Sequence, residues 1–380
     1  MKKKIKVILV IAFVALLSFG FSVQAESKES KTDGEIYKEV YDDSGLSELT
    51  DSLSDETVET LNSLGVDLND YNSFLSFSLD GVLKTFYSFT LDNLKAPLAV
   101  LAVGFALLAI TATVGGMWNT KQAAAETYKY VCVLSLLTVV LMPVMSTVSA
   151  CLNAVRAACT FMLGFVPVYT GILLYSGGVA TGTVYQSVML LVCEVVSQAF
   201  SFVVSPLVSA YVCLGVSSAV SGIDGAAKIA ERVKNAGNVV VGFIMTVFTG
   251  FLSVQSAVAK SADSLSLKTA RFFVSGTVPV VGGALSEALA TVTAGVSLLR
   301  SSAFSWCVLV LGIIVLPVVV KLFLWRIVLC LLSAVSEMLG LSEPVGLFGT
   351  LSAALGLLVG ITLSVTVMFI LSLTVVRQVV

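Results

Sequence analysis

The fold is decided by Ala157–Cys193, which reads AACTFMLGFVPVYTGILLYSGGVATGTVYQSVMLLVC and contains no charged side chain. A helix needs about 20 mostly apolar residues to cross the hydrocarbon core of a bilayer, and this run is nearly twice that long. Pro167 interrupts it, as does a glycine cluster that begins with Gly177 and Gly178. Because glycine and proline disturb regular helix, we predict two helical pieces on either side of this Gly-rich turn.

Six further uncharged runs of membrane-crossing length accompany it. The chain is 57% hydrophobic and only 12% charged over 380 residues, with a mean hydropathy of +0.98, whereas soluble domains are about 25% charged. No run alternates as a membrane β-strand does. We therefore predict an all-α polytopic membrane protein with roughly six to eight transmembrane helices, some of them broken or re-entrant. The further runs are Ala96–Thr120, Tyr130–Val155, Val195–Ile223, Asn235–Ala259, Ser301–Val320 and Pro344–Val376.

The chain divides into three regions. Met1–Ala25 has the basic start, apolar core and V-x-A cleavage site of a cleaved signal peptide, with an uncleaved signal anchor as the alternative. Residues 26–93 form a short acidic extracytoplasmic segment with an amphipathic helix. Residues 94–380 form the multispan membrane domain, in which polar stretches near 223–237 and 260–273 are predicted to be amphipathic and to lie at the membrane interface.

Most enzymatic chemistry lacks its usual side chains in this sequence. The chain has no histidine, which removes the commonest general base and most zinc sites. It has no G-x-x-x-x-G-K-[ST] string for nucleotide phosphates. The seven cysteines include no C-x-x-C pair and are interpreted as small core residues. We predict that the chain is not an enzyme and has no catalytic residues, no metal site and no cofactor.

Carboxylates inside apolar runs are the sharpest functional signal, because an isolated charge within a membrane is costly and tends to face a cavity or a partner. Glu194, Glu287 and Glu337 are the candidates. Gln198 shares a helix face with Glu194 one turn away. Such a pair is typical either of a pore lining or of polar contacts between helices inside a bundle, and both interpretations are open.

The most unusual stretch is Pro279–Leu289, PVVGGALSEAL. Its proline and its two adjacent glycines weaken a helix, and a hydroxyl and a carboxylate follow them. This pattern predicts a broken or re-entrant helix that lines a cavity, with a tilted span and a close-packed glycine pair as the alternative. The candidate pore or interhelical polar positions are therefore Glu194, Gln198, Pro279, Gly282, Gly283, Ser286, Glu287 and Glu337.

These features together resemble a known family. They are the signal peptide, the acidic segment, W-N-T-K at Trp118–Lys121, RFFVSGTVPVVGGALSEAL at Arg271–Leu289, and P-V-V-V-K-L from Pro317. In the order of these features along nearly the whole chain, the protein resembles the stage III sporulation protein AE family of endospore-forming bacteria. PVVGGALSEAL is the most specific part of the resemblance.

The resemblance implies a multispan subunit of a sporulation channel or secretion-like complex, which links mother cell and forespore and is required for forespore development. It implies a location in the mother-cell membrane that surrounds the forespore. The implied partners are other stage III sporulation membrane proteins, the forespore-side stage II partner, a separate ATPase subunit and the lipid bilayer.

The net charge of −2 offers no basic face for nucleic acid, so nucleic acid is not expected as a partner.

The alternative function is a stand-alone secondary transporter or permease, which is expected to carry an internal repeat. No convincing repeat is visible in this sequence.

Overall fold

The computed structural model describes residues 79–117, 122–221, 228–253 and 282–379. Within these ranges the chain is helical except at two short turns, and no strand is present. The signal peptide, most of the acidic segment, the 260–273 stretch and Pro279 lie outside the described residues. Residues 79–93 of the acidic segment are described, and they form the first turns of a helix that runs through the boundary predicted at residue 94.

Seven α-helices and one π-helical turn make up the described chain. Six stretches are long and apolar enough to cross a membrane, with α3, the π-helical turn and α4 together forming one of them. The predicted all-α membrane fold, with six to eight spans, is thus confirmed. The helices are α1 Leu79–Met117, α2 Gln122–Tyr175, α3 Val179–Ala199, the π-helix Phe200–Val204, α4 Ser205–Ser221, α5 Lys228–Ser253, α6 Gly282–Met338 and α7 Ser342–Val379.

Both described turns are built in the same way. Gly177 ends α2 at φ 86° and Gly340 ends α6 at φ 71°, a left-handed conformation that glycine adopts without steric cost. At the first turn the Gly178 N–H donates to the Leu173 carbonyl at 3.0 Å, and at the second the Leu341 N–H donates to the Ser336 carbonyl at 2.9 Å. These are the six-to-one bonds of Schellman caps. The predicted division of Ala157–Cys193 at its glycine cluster is confirmed.

The helices do not end where the uncharged runs end. Arg156 and Glu194 separate runs in the sequence, yet α2 continues through Arg156 and α3 continues through Glu194. A single charged side chain does not interrupt the backbone hydrogen bonds of a helix, whereas a glycine in the left-handed conformation does. The run boundaries therefore underestimate helix length: α2 has 54 residues and α6 has 57.

Prolines occur inside the long helices and beside the π-helical turn. Pro143, Pro167 and Pro317 lie inside long helices, and Pro206 follows the π-helical turn. Proline has no N–H to donate, so the turn before it loses one helical bond. A π-helical turn takes one extra residue and changes which residues face a neighbouring helix.

Aromatic side chains fill the centre of the bundle. Trp306 of α6 packs against Phe161 and Phe165 of α2, with ring centroids 5.4 and 6.0 Å apart. Tyr169 of α2 meets Tyr185 of α3 edge-on at 6.0 Å. The lipid around membrane helices is as apolar as their buried side chains, so close packing rather than exclusion of water holds the helices together. These large buried rings therefore fix α2 and α3 against α6.

The two helical hairpins lie antiparallel to each other. The Cys151 thiol of α2 is 3.0 Å from the Thr362 hydroxyl of α7, which places the middles of these helices side by side. At one end, Arg377 of α7 reaches Ser301 of α6 near the α2–α3 turn. At the other end, α4 passes close to α7, because a Cβ on Gly215 would meet the Thr350 side chain. The α6–α7 turn thus lies at the end of the bundle opposite to the α2–α3 turn.

Candidate functional site

A group of polar side chains lies on the outer surface of α2, α3 and the π-helical turn. We call it the polar patch. On α2 its members are three and four residues apart, and on α3 they are four and three residues apart, so each set follows one helix face. All are exposed except the half-buried Ser201. The polar patch consists of Asn153, Arg156, Thr160, Glu194, Gln198 and Ser201.

Glu194 and Gln198 contact each other directly. The Gln198 Nε2 donates to the Glu194 Oε1 at 2.7 Å, as their spacing of four residues in a helix allows. Both side chains are exposed on α3 rather than enclosed among the helices of this chain. Their role as a pore lining or a contact between helices stays a prediction, and a helix that covered their exposed surface would come from outside the described bundle.

Arg156 connects the two helices of the polar patch. Its Nη2 donates to the Ser201 Oγ at 3.2 Å. Ser201 belongs to the π-helical turn, and the extra residue of such a turn sets the direction in which it faces. The turn thus provides a hydrogen-bond acceptor for the only charged side chain of α2 between Tyr130 and Tyr175.

The surface around the polar patch is apolar. Leu191, Val195 and Phe202 are exposed on the same helices, and the helical stretches Tyr130–Tyr175 and Val179–Val220 are both apolar enough to lie in a membrane. An arginine and a glutamate facing lipid at such positions cost several kcal/mol, on the order of 2.5–3.5 kcal/mol for each charge at the centre of a helix. Water or a polar surface of another protein removes that cost.

The inner side of α3 and the π-helical turn is almost entirely apolar. A small cavity there is lined by α3, the π-helical turn, α5 and α7, with Ser364 as its one hydroxyl-bearing residue. Such a lining binds no hydrated solute, because the polar groups would find no partners. The polar chemistry of this segment is therefore on the outside, where the polar patch lies.

The remaining predicted positions are elsewhere. Gly282 begins α6, and Gly283, Ser286 and Glu287 follow in its first turns, so the two glycines stand at the start of the described helix. What precedes them lies outside the described residues, and the predicted cavity lining at this stretch stays a prediction.

Glu337 is exposed in the last turn of α6. Thr362, which is level with Cys151, lies 20 residues beyond the start of α7 at Ser342, or about 30 Å along the helix. Glu337 is therefore far from the polar patch, and the structure does not bring Glu194 and Glu337 together.

Four residues of the polar patch were not among the sequence predictions: Asn153, Arg156, Thr160 and Ser201. Arg156 had a usable signal, because it is the one charge in an otherwise apolar stretch and has Asn153 and Thr160 on the same helix face. Ser201 had none. Serines are frequent in this chain, and only the packing of α2 against the π-helical turn distinguishes this one.

The described residues contain no group of three or more histidine, cysteine, aspartate or glutamate side chains that could hold a metal ion. The polar patch itself pairs one carboxylate with one guanidinium, an amide and hydroxyl groups. Such a set can form hydrogen bonds to a polar helix or to water, and it contains no activated nucleophile.

Six membrane-length helical stretches in one packed bundle define a polytopic helical membrane protein. The family model described as stage III sporulation protein AE matches residues 68–379, so the chain belongs to the stage III sporulation protein AE family. The resemblance seen in the sequence is thereby confirmed.

One curated relative illustrates the similarity. The chain is 25% identical over 224 residues to the stage III sporulation protein AE of Bacillus subtilis (strain 168). The match covers 59% of this chain and 56% of the relative, so the chain matches little more than half of that protein's length. No solved structure matches the chain.

Proposed function

We propose that the chain is a subunit of a sporulation channel or secretion-like complex that links mother cell and forespore and is required for forespore development. Membership of the stage III sporulation protein AE family supports a role in sporulation. The observation that carries the subunit role is the polar patch, which presents Arg156 and Glu194 on the outside of apolar helices.

The polar patch supports a subunit role because a charged side chain that faces lipid is costly. A stand-alone transporter places its polar groups near the middle of its own fold, around the substrate path. Here the described core is filled mainly by apolar and aromatic side chains, its buried serines and threonines are uncharged, and Arg156 and Glu194 face outward. An outward polar surface is favourable when another subunit, or water held between subunits, covers it.

The proposed partners are other stage III sporulation membrane proteins, the forespore-side stage II partner and a separate ATPase subunit. A location in the mother-cell membrane around the forespore follows from the same proposal. The polar patch is where we expect a membrane helix of one of these proteins, or the water path between subunits, to contact the chain.

A deletion of the gene in its own host tests the proposal at the coarsest level. We expect normal vegetative growth, with sporulation blocked after engulfment, because a developmental conduit is needed only then. Normal spore counts together with a growth defect on one particular solute would instead support the permease.

Glu194→Leu and Arg156→Gln test the polar patch. Each change removes a charged group from the exposed face without touching the buried core. We expect spore counts to fall toward those of the deletion strain, while immunoblots show the protein at its normal level. The matched control is Glu231→Leu, which removes an exposed glutamate from α5. Full sporulation in both patch variants would remove the polar patch from the mechanism.

A further inference from the structure

Two arginines meet near the α2–α3 turn. Arg300 and Arg377 are both half-buried. The Arg377 Nη2 donates to the Ser301 Oγ at 3.3 Å, and its Cζ lies 5.1 Å from the centre of the Phe304 ring. The guanidinium groups of Arg300 and Arg377 are near enough to interact electrostatically. Like charges repel, so the cluster is unfavourable unless something compensates it.

Unpartnered polar atoms lie beside these arginines. Tyr169 is 0% exposed and its hydroxyl has no hydrogen-bond partner; the buried Nε of Arg300 has none either. Tyr169 interacts electrostatically with both arginines. Buried polar groups are nearly always hydrogen-bonded in proteins. Two unsatisfied donors beside two cations, the Tyr169 hydroxyl and the Arg300 Nε–H, therefore indicate a ligand that supplies acceptor atoms.

The described surroundings supply no negative charge. The groups that interact electrostatically with Arg300 are Tyr169 and Arg377, and those that interact with Tyr169 are the two arginines and Cys307. None of these is a carboxylate. The missing complement is an anion that accepts several hydrogen bonds at once.

We infer that Arg300, Arg377 and Tyr169 form a binding site for a phosphate group, supplied by the headgroup of a phospholipid. Phosphate presents several acceptor oxygens, and planar guanidinium groups bind it through paired N–H donors. A carboxylate offers only two oxygens to the same donors. The inference does not depend on the proposed role in sporulation.

The position of the cluster favours a lipid as the source. Arg300 and Arg377 lie at the ends of the membrane-length stretches Leu299–Met338 and Ser342–Arg377. Tyr169 is six residues from the end of α2, about 9 Å along the helix. Cationic side chains near the ends of membrane helices reach the headgroup layer. A free phosphate ion offers the same chemistry, and an acidic side chain of another protein is the competing occupant.

The first test measures phospholipid retained by the full-length protein after purification and extensive detergent washing, by native mass spectrometry. We expect the wild type to retain about one phospholipid more than the Arg300→Gln/Arg377→Gln double variant. The matched control is Arg326→Gln, which removes a half-buried arginine from the same helix, 26 residues or about 39 Å away. It should retain as much phospholipid as the wild type.

A second measurement separates the two sources of phosphate. Delipidated protein is heated with anionic phosphatidylglycerol micelles or with inorganic phosphate alone. Stabilisation by the lipid that the double variant loses supports the headgroup. Stabilisation by inorganic phosphate alone, lost in the double variant, supports a phosphate site filled from solution. Equal lipid retention and equal stabilisation in wild type and double variant would overturn the inference, as would loss of a bound protein with lipid unchanged.

Tyr169→Phe keeps the test usable if the arginine variants fail to fold. It removes the hydroxyl and leaves the buried ring in place. We expect lipid retention about tenfold weaker for a lost hydrogen bond to a charged group, with the delipidated protein unchanged or slightly more stable. Destabilisation of the delipidated protein with unchanged lipid retention would mean that the Tyr169 hydroxyl serves packing alone and would refute the site.

Discussion

Arg156 and Glu194 are charged residues that separate apolar runs of the sequence without ending a helix. Each stands in a helix that continues undisturbed through it, so neither is a boundary of secondary structure. Their side chains instead find small polar partners, Ser201 and Gln198, at 3.2 and 2.7 Å. Such neutral partners satisfy only some of the hydrogen-bonding groups of a guanidinium and a carboxylate. The remaining groups are what another polar surface would bind.

Gly215 lies where α4 and α7 approach each other closely. A Cβ there would meet the Thr350 side chain of α7. Alanine favours helix over glycine by up to about 1 kcal/mol, but overpacking a close helix contact costs about 1–3 kcal/mol. We therefore expect Gly215→Ala to lower the midpoint of thermal unfolding in detergent.

Gly242→Ala is the matched control for that change, because nothing lies within 4 Å of its Cβ position. It should leave the midpoint unchanged or raise it. Adding Thr350→Ala to Gly215→Ala should recover part of the loss. A Gly215→Ala protein as stable as the control would contradict the close approach of α4 and α7.

Two helical hairpins are the elements that organise the molecule. α2 and α3 are joined by a turn at Gly177, and α6 and α7 by a turn at Gly340. At about 1.5 Å per residue, the 54 residues of α2 extend for about 80 Å, well over the roughly 30 Å of a hydrocarbon core. The long helices therefore have length to spare beyond a single perpendicular crossing.

The conformation of the turn at Gly340 can be tested by substitution. An alanine at φ 71° is strained by about 1–2 kcal/mol, and the Schellman cap depends on that conformation. We expect Gly340→Ala to lower the unfolding midpoint. Gly346→Ala, six residues later inside α7 and with an open Cβ position, should raise it or leave it unchanged. Equal midpoints for the two variants would mean that the turn does not constrain the fold.

At the scale of the whole molecule, the hairpins pack antiparallel around one core. Trp306 and the stacked rings of α2 fill its centre, and the described core is continuous from α1 to α7. The polar patch stays on the outside of this core and the arginine–tyrosine cluster lies at one end of it. Both proposals therefore place polar chemistry at the periphery of the bundle.

A disulfide tests the register of that packing. The Cys151 thiol and the Thr362 hydroxyl are 3.0 Å apart across α2 and α7, so Thr362→Cys should bring two thiols within bonding reach. We expect rapid disulfide formation under mild oxidation, measured as loss of two titratable thiols. Thr366→Cys, one helical turn or about 6 Å further along α7, should react much more slowly. Similar rates at both positions would show that the helices slide or pack differently.

The class of fold was predictable from the amino-acid sequence alone. The length and apolarity of the runs predicted membrane-crossing helices and a range of six to eight of them, because a bilayer admits little else than helices of this kind. The glycine cluster after Tyr175 determined one hairpin turn, since few residues other than glycine adopt a left-handed conformation at low cost. Family-specific stretches such as PVVGGALSEAL indicated the family. All of these are local properties of the chain.

Tertiary structure alone decided which polar residues meet. Glu194 and Gln198 are neighbours on one helix and were predicted, but Arg156 and Ser201 are 45 residues apart and were brought together by the α2–α3 turn and the π-helical turn. Arg300 and Arg377 meet across a separation of 77 residues only because α6 and α7 form a hairpin. Periodicity reports on one helix at a time, whereas contacts between helices depend on how their surfaces pack, and that is fixed by the whole bundle.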